Sequence, residues 1–425
     1  MKTLTATVFA AILIVSVGAS SGCNPAANPA QDKSNPKAAN GPDEVATADD
    51  AEAVPPPAGV ELSKADPRRE EAEETVEKPS SKKDLAAKKP IAPKRPSNEA
   101  TPAGGGRAEP DYLAGVPLIG REALFGNPNR ASARISPDGT QLAYLAPVDG
   151  VLNVWVGPLA DPNRARPVTH DKVRGIRIYH WAFTSQHVLY LQDVGGDEDW
   201  HVYCVDLAAG ETKDLTPLEK VNAQINQVSH RFPEQILVAL NDRDPAFHDL
   251  YRVNLVTGKR ELVEKNTQRF AGYVCDDDYR VRFAQRFVPD GGNELLVADG
   301  RGGWDDFLKI PAEDTLTTAP LGFDESGNVL FLTDSRKRNT GALVAWDLKT
   351  GKQRVLAESD LADVGEVLSH PTENTIEAVA FTFTRKQWQV LDDAVAADFE
   401  YLGSVADGEV AVTSRTLDDR HWTVA

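Results

Sequence analysis

Short runs in which apolar and polar residues alternate follow one another along residues 131–425, and glycine-containing turns separate them. Alternation with a period of two predicts strands that bury one face. The phrase Asp206–Gly210 (Asp-Leu-Ala-Ala-Gly) recurs as Asn254–Gly258 and as Asp347–Gly351, each time between two such runs. Because glycine supplies the positive φ that a hairpin turn needs, we interpret each phrase as the connection between two antiparallel strands.

A second turn signal precedes other runs, namely Ser136–Gly139 (Ser-Pro-Asp-Gly) and Asp324–Gly327. Together the two signals define a unit of strand, turn, strand, loop, strand, turn and strand, with a period of about 46 residues, which is typical of a propeller blade. Units are predicted to begin near residues 131, 176, 222, 270, 320 and 364, and a last one near 404 has room for barely two strands. The predicted fold class is therefore all-β, a β-propeller of about seven four-stranded blades with the last incomplete.

The N-terminal part of the chain has a different composition. The sequence has 14 Phe, 9 Tyr and 7 Trp residues, and none of them lies between Asn24 and Pro110. That stretch is rich in Ala, Pro, Lys and Glu, so it cannot bury enough apolar surface to offset its chain entropy. We predict three regions: a signal peptide over 1–22, a disordered Pro/Ala/charged tether over 23–110, and the propeller over 111–425.

The first 22 residues carry export features. Lys2 is followed by the apolar run Val8–Val15 and then by small residues up to Cys23. This order is typical of a secretory signal rather than a membrane span. The segment Ser20–Cys23 also resembles the bacterial lipobox, except that Ser20 stands where an aliphatic residue is usual. We expect export to the cell envelope, in the periplasm, with lipidation of Cys23 as the anchor; the alternative is ordinary cleavage with Cys23 incidental.

Composition and charge exclude several classes. Beyond the leader no apolar run of 18 residues occurs, which excludes a polytopic membrane protein. Three cysteines cannot build a disulfide scaffold. A formal charge of -18 makes the chain a poor binder of nucleic-acid backbone. The acidity is either ordinary solubility charge or a field that draws cationic groups, such as peptide N-termini, into a cleft.

Several segments resemble the propeller of prolyl-oligopeptidase-family serine peptidases. Arg134–Tyr144 followed by Asn153–Val156 is similar to the opening blade of that family, and Trp181–Thr184 with Gly196–Tyr203 is similar to the next. Asn241–Pro245 continues the likeness, which covers about residues 130–425 and is closest to the bacterial acylaminoacyl- or dipeptidyl-peptidase branch. The resemblance implies a propeller that caps a hydrolase active site and admits short peptides.

In that family an α/β-hydrolase domain with a Ser–Asp–His triad follows the propeller, and its serine lies in Gly-x-Ser-x-Gly at a strand-to-helix turn. The one match to this motif, Gly18–Gly22, lies in the predicted signal peptide and precedes no helix, so we assign it no catalytic role. The resemblance carries over no catalytic residue. We expect the hydrolase domain to be absent, the last blade to be cut short, and residues 1–425 to be inactive alone.

Two functions from different classes remain. The first is the substrate-gating portion of an exported serine peptidase that acts on short peptides. The second is a non-catalytic TolB-like envelope propeller that binds a peptide or protein partner. An incomplete last blade favours the first, because a self-sufficient binder should close its ring. The expected partners are short peptides and the missing hydrolase domain; the membrane is reached through the lipid anchor only, and no nucleic acid or cofactor is expected.

The remaining histidines, carboxylates and cysteines are assigned no metal or redox site. Four histidines (His180, His201, His230 and His248) are expected to be scattered over three blades, without the spacing of a zinc pair. Two acidic groups, Asp193 with Asp197–Asp199 and the run Asp276–Asp278, could offer oxygens to calcium, but solvated turns are the favoured interpretation. Cys204 and Cys275 are predicted to be buried thiols on different blades rather than a disulfide.

Overall fold

The computed structural model of the chain describes residues 119–405 and 407–425. This part contains 25 β-strands and two α-helices, and the strands form a series of antiparallel sheets that follow one another along the chain. The predicted signal peptide, the predicted tether, Cys23 and the motif Gly18–Gly22 lie outside the described residues. A helix with the length and hydrophobicity of a membrane span does not occur among the described residues.

The first five sheets have four strands each, and in every sheet the strands pair in chain order. Blade 1 contains β1 (Ala131–Ile135), β2 (Gln141–Val148), β3 (Val151–Pro158) and β4 (Arg166–Pro167). Blade 2 contains β5 (Tyr179–Trp181), β6 (His187–Gln192), β7 (His201–Asp206) and β8 (Glu211–Asp214). Blade 3 contains β9 (Ala223–Val228), β10 (Gln235–Asp244), β11 (Phe247–Asn254) and β12 (Arg260–Glu264).

The remaining sheets continue the series and then shorten. Blade 4 contains β13 (Gly272–Cys275), β14 (Val281–Phe287), β15 (Asn293–Ala298) and β16 (Trp304–Ile310). Blade 5 contains β17 (Ala319–Phe323), β18 (Val329–Asp334), β19 (Ala342–Asp347) and β20 (Gln353–Ala357). Blade 6 has three strands, β21 (Val364–Ser369), β22 (Ile376–Thr382) and β23 (Lys386–Val390), and a two-stranded sheet follows with β24 (Val412–Arg415) and β25 (Trp422–Val424). The helices are α1 (Arg121–Phe125) and α2 (Ala396–Val405).

The prediction of an all-β propeller is confirmed, and the described residues form six blades. The first strands of the blades begin at Ala131, Tyr179, Ala223, Gly272, Ala319 and Val364, each within three residues of the predicted start. A two-stranded sheet follows blade 6.

The predicted turns are present, and glycine is required there by the backbone. Gly210, Gly258 and Gly351 close the turns between third and fourth strands with φ of +70°, +73° and +71°. Gly139 and Gly327, at the turns between first and second strands, have φ of +74° and +66°. An L-residue with a side chain rarely adopts this region, which is why the same residue type recurs at these positions.

Blade 6 corrects the prediction that every blade has four strands. After β23 the chain forms a short 3-10 turn and α2 instead of a fourth strand. The carboxylate of Asp392 accepts a hydrogen bond from the backbone N–H of Ala394 (2.9 Å), as an N-cap does. The segment that follows is rich in alanine, the best helix former, so local propensity favours the helix.

The hydrophobic core lies between blades rather than at one centre. Consecutive strand residues point to opposite faces, so each blade contributes to two separate clusters. In β10, Ile236 and Val238 pack in a cluster with blade 2, whereas Leu237 and Ala239 pack in a cluster with blade 4. A series of sheets that pack face to face in this way curves into a ring around a central channel.

The two-stranded sheet lies against blade 1. The backbone N–H of Ile135 in β1 donates to the Ser414 hydroxyl (2.8 Å), and the Thr413 hydroxyl donates to the Ala133 carbonyl (2.8 Å). Beyond the strands, the N–H of Leu417 donates to the Pro137 carbonyl (2.9 Å). These contacts bring the last strands of the described chain to the first, so the ring is continuous.

Candidate functional site in the central channel

A cavity of about 740 Å³ occupies the central channel. Its wall is formed by the first strands of blades 3 to 6, which are β9, β13, β17 and β21, and by the turns that follow them in blades 4 to 6. Residues of the second strands β14, β18 and β22 complete it. In β13, Tyr273 and Cys275 pack towards blade 3 and Val274 packs towards blade 5. The side chains of a first strand thus pack against the two neighbouring blades. The backbone edge of this strand that pairs with no other strand of its sheet faces the channel.

The turns after the first strands gather at one end of the channel, which we call the turn end. They comprise Ser229–Glu234, Asp276–Arg280, Asp324–Asn328 and His370–Thr375 in blades 3 to 6. Since the strands alternate in direction, the turns between first and second strands of all blades lie at the same end.

Asp277 links three blades at the turn end. Its carboxylate accepts hydrogen bonds from the side-chain amide of Asn374 in blade 6 (2.6 Å) and from that of Gln227 in blade 3 (3.3 Å). Asp277 itself belongs to blade 4, so its hydrogen bond to Asn374 connects two blades that are not neighbours. This bond lies across the channel opening in front of blade 5. These bonds narrow the channel at the turn end.

Arg231 makes a second bridge beside the first. Its guanidinium donates to the Asp278 carboxylate (2.8 Å) and to the backbone carbonyl of Glu325 in blade 5 (2.9 Å). The hydrogen bond and charge of Arg231 hold the pKa of Asp278 below its usual range. The same pairing raises the pKa of Arg231, so both groups are charged near neutral pH.

The negative charge of Asp276 is balanced by Arg282, which does not line the cavity. Arg282 donates to its carboxylate (3.1 Å) and to the Gly327 carbonyl in blade 5 (2.8 Å). The same guanidinium lies over the Phe323 ring at 5.0 Å. Asp276 is only 6% exposed, so the predicted solvated turn is wrong for this residue: its carboxylate also accepts the N–H groups of Asp278 and Arg280 and fixes the turn.

The lining of the cavity is acidic. Of the described residues that line it, three are carboxylates (Asp276, Asp277 and Asp324), and none is Lys, Arg or His. Side-chain amides contribute the other strong polar groups: Asn226, Gln227, Gln285 and Asn374. Negative charge concentrated in a concave site favours cationic groups over anionic ones.

Local contacts explain the conformation of the second acidic loop, Asp193–Asp199. Asp193 is 3% exposed and pairs with Arg174 (3.2 Å), so the predicted solvated turn is wrong for it. Asp197 and Glu198 are exposed, and the Asp197 carboxylate accepts N–H groups from Val194 and Asp199. These bonds shape a turn.

The four histidines lie on two blades rather than three, and they are not brought together as a site. His180 (β5) and His201 (β7) belong to blade 2, whereas His230 and His248 belong to blade 3. Burial lowers the pKa of His180 to about 4 and also lowers that of His248. His201 instead shares a hydrogen bond with Asp214 (2.8 Å).

Cys204 and Cys275 are free, buried thiols on blades 2 and 4, as predicted. Burial raises the pKa of each thiol to about 12. A thiol of such high pKa is a poor nucleophile at neutral pH, so neither residue is suited to covalent chemistry.

One cluster was not visible in the sequence. Ligand atoms of His370, Glu377 and Asp419 lie within 4.8 Å of one another, which is the spacing of a metal site. However, the Arg415 guanidinium pairs with both carboxylates and lies over the Trp422 ring at 4.5 Å. Because Arg415 already supplies the positive charge, we interpret the cluster as a structural link between blade 6 and the last two strands.

No family model matches the chain. Among curated proteins, it is 50% identical over 315 residues to Dipeptidyl aminopeptidase BIII of Pseudoxanthomonas mexicana, a match that covers 74% of this chain and 46% of that protein. It is 29% identical over 326 residues to Dipeptidyl peptidase family member 6 of Caenorhabditis elegans, covering 73% and 44% of the two chains. The chain thus spans about half the length of the curated relatives it matches.

Among solved structures, the β-propeller domain of the Trilobed protease from Pyrococcus furiosus is similar. The TM-score is 0.40 at 17% identity, over 62% of this chain and 82% of that one. The described residues of this chain form an acidic channel cavity inside a propeller, with hydrogen bonds between blades at one end.

Proposed function

Since the chain belongs to the prolyl oligopeptidase family of serine peptidases, we propose that its propeller restricts access to a peptidase active site and admits short peptides. The observation that carries the proposal is the 50% identity to Dipeptidyl aminopeptidase BIII. In this role the propeller contributes selection by size and charge, and the bond chemistry is done by a hydrolase domain.

The volume of the channel cavity supports selection by size. The cavity has a volume of about 740 Å³, within the range of sites that enclose small molecules. A folded domain of 100 residues has a radius of gyration of about 13 Å, so it cannot enter such a space. The bridges made by Asp277 and Arg231 narrow the turn end further.

We also assign β24 and β25 to a seventh blade. They lie beside β1, where the first two strands of such a blade would lie, and β25 leaves one edge unpaired among the described strands.

Export and anchoring belong to the same proposal. The basic start, the apolar run and Cys23 support an exported lipoprotein held to the envelope by residues 23–110. Cys23→Ala is expected to move the protein from the membrane fraction to the soluble fraction and to slow its processing, as measured by fractionation and gel mobility. Unchanged fractionation of the variant would remove the lipoprotein assignment.

The alternative is a TolB-like propeller that only binds a peptide or protein. The identity to a dipeptidyl aminopeptidase over the propeller favours the peptidase function over this one. The coding sequence after codon 425 separates the two. An in-frame continuation with Gly-x-Ser-x-Gly favours the peptidase, and a stop codon there favours the binder.

The functional test compares residues 1–425 with a polypeptide that includes such a continuation. Residues 1–425 alone should not hydrolyse chromogenic aminoacyl substrates or react with a fluorophosphonate probe, because an activated serine, a base and an oxyanion hole must be assembled together. The extended polypeptide should hydrolyse short peptides and spare folded proteins. Cleavage of folded proteins at rates similar to short peptides would contradict the gating role.

A further inference from the structure

The junction between blades 5 and 6 has a smaller hydrophobic core than the junctions that precede it. Its cluster contains three buried residues, which are Leu343, Ala357 and Val379. The clusters between blades 3 and 4 and between blades 4 and 5 contain nine buried residues each, and partly buried side chains surround all three clusters. Since burial of apolar surface is the main force that holds packed sheets together, blade 6 is held to blade 5 less firmly than blade 5 is held to blade 4.

At the channel end opposite the turn end, blades 5 and 6 are joined by the chain itself. The connection from β20 to β21 passes there, and the backbone N–H of Val364 donates to the Gly341 carbonyl (3.0 Å). The N–H of Gly341 in turn donates to the Asp363 carboxylate (2.6 Å). This end of the junction is therefore fixed, and a rotation of blade 6 about it would separate the two blades at the turn end.

At the turn end, two hydrogen bonds connect the turn His370–Thr375 of blade 6 to the described residues of blades 4 and 5. The backbone N–H of Glu325 in blade 5 donates to the Glu373 carbonyl (3.1 Å). The side-chain amide of Asn374 donates to the Asp277 carboxylate in blade 4 (2.6 Å). The second bond has a charged acceptor, and such bonds are stronger than those between neutral groups. It holds blade 6 at the end where the junction is not joined by the chain.

The backbone of Asn374 suits a residue that makes this bond. Its φ is +56°, in the left-handed region that glycine and asparagine tolerate best. Its N–H donates to the His370 carbonyl (3.2 Å) and closes the turn. Glycine would fit the backbone equally well but has no amide, and aspartate would bring a second carboxylate to Asp277. Asparagine alone meets both requirements.

We propose that blades 5 and 6 form a hinged junction that opens at the turn end, and that the hydrogen bond between Asn374 and Asp277 is the latch that keeps it closed. In the open form the channel is wider and admits longer peptides. The inference rests on the proposed function of the channel as a peptide passage, whereas the hinge can be measured without hydrolysis. Loss of a hydrogen bond to a charged group should shift the equilibrium about ten-fold towards the open form.

Spin labels measure the opening in residues 1–425. The Cys23→Ala variant retains only the buried thiols of Cys204 and Cys275, so introduced cysteines can be labelled selectively. Labels at Arg301→Cys in blade 4 and at Glu373→Cys in blade 6 occupy exposed positions. Electron–electron double resonance then gives the distribution of distances between the two blades.

Substitutions of Asn374 test the latch directly. Asn374→Gly tolerates the left-handed φ and removes the amide, so the fraction of molecules with a longer distance should rise about ten-fold. Asn374→Asp places two carboxylates together and should raise this fraction further, because like charges repel. If Asn374→Asp and the native residue gave the same distance distribution, the hinge would be overturned.

Two controls separate the hinge from a general loosening of the ring. Gln186→Glu adds a negative charge to an exposed side chain in the corresponding turn of blade 2, and it should leave the distances unchanged. Labels at Glu234→Cys and Arg301→Cys report the distance between blades 3 and 4, whose larger core remains intact in the Asn374 variants. That distance should stay constant, and a change in it equal to the change between blades 4 and 6 would also overturn the proposal.

The extended polypeptide tests the admission of peptides. Asn374→Gly should raise the rate of hydrolysis of a long unfolded peptide, relative to that of a tripeptide, by about ten-fold. An equal ratio of the two rates in the native and variant proteins would overturn the role of the junction in admission. Absence of hydrolysis by either protein would contradict the proposed function, and the spin-label distances would still decide whether the hinge exists.

Discussion

At the residue scale, the turn glycines show how a backbone position selects a residue type. Gly210 and Gly351 have φ near +70°, and a Cβ added at either would meet nothing within 4 Å. Space for a side chain is therefore available. Other residues are disfavoured because, in the left-handed region, a Cβ clashes with the residue's own backbone, which costs about 1–2 kcal/mol.

Gly210→Ala is therefore expected to lower the free energy of unfolding by about 1 kcal/mol. The matched control is Gly403→Ala in α2, where a Cβ also meets nothing within 4 Å. There alanine should raise the free energy of unfolding by about 0.5–1 kcal/mol, because it is the better helix former. Thermal unfolding of both variants should thus shift in opposite directions, and shifts in the same direction would contradict the explanation.

His180 gives a pH dependence with a defined sign. Burial lowers its pKa to about 4, while the unfolded chain has a pKa of about 6.5, so the unfolded state binds more protons between these values. The stability from keeping His180 neutral is complete above pH 6.5 and is lost as the pH falls towards 4. The loss amounts to about 3 kcal/mol at most.

His180→Gln should therefore flatten the fall of the unfolding free energy between pH 6.5 and 4, measured by urea denaturation at each pH. His170→Gln changes an exposed histidine and serves as the control, with the slope of the native protein expected. A slope of the His180 variant that equals the native slope would show that another group causes the acid sensitivity.

At the element scale, blade 6 shows an α-helix in place of a fourth strand. The ring of Phe399 in α2 packs against the rings of Trp388 in β23 and Trp422 in β25. The distances between ring centroids are 5.2 Å and 6.1 Å. The Trp388 indole N–H also donates to the Val410 carbonyl (2.8 Å). The helix thus fills the space between blade 6 and the last sheet with aromatic contacts.

Asp392→Ala should destabilise this element, because it removes the acceptor for the Ala394 N–H at the start of the helical segment. The expected loss is about 1 kcal/mol in the free energy of unfolding. Glu400→Ala, an exposed change within α2, should have an effect near zero. Hydrogen exchange of the α2 amides should become faster in the first variant only.

At the scale of the whole molecule, Arg415 links the last strands to blade 6. Its side chain is 5% exposed and pairs with Glu377 and Asp419, whose side chains are 4% and 11% exposed. It also donates to the Ser369 carbonyl (2.9 Å). Removal of the guanidinium would leave buried carboxylates without their cation, which is far more costly than loss of an exposed pair.

Arg415→Met is expected to lower the free energy of unfolding by about 3–5 kcal/mol. Arg301→Met, on an exposed turn of blade 4, should change it by less than about 0.5 kcal/mol. Denaturant unfolding of the two variants measures the difference. If Arg415→Met unfolded like the native protein, the ring would not depend on this cluster.

The sequence by itself determined the fold class, the blade boundaries and the turns. These features depend on local signals: alternation along a strand and glycine at a positive φ recur with the period of the blade, so they can be recognised without knowing which strands meet. The buried state of Cys204 and Cys275 was predicted for the same reason, from the apolar runs around them.

The tertiary structure alone decided what lies around the channel. Asp277 and Asn374 are 97 positions apart and meet only because the curvature of the ring brings the turns of blades 4 and 6 together across blade 5. The burial of Asp276 and Asp193 and the Arg415 cluster likewise depend on contacts between blades. A linear pattern contains no information on such distances, because they are set by how complete blades pack.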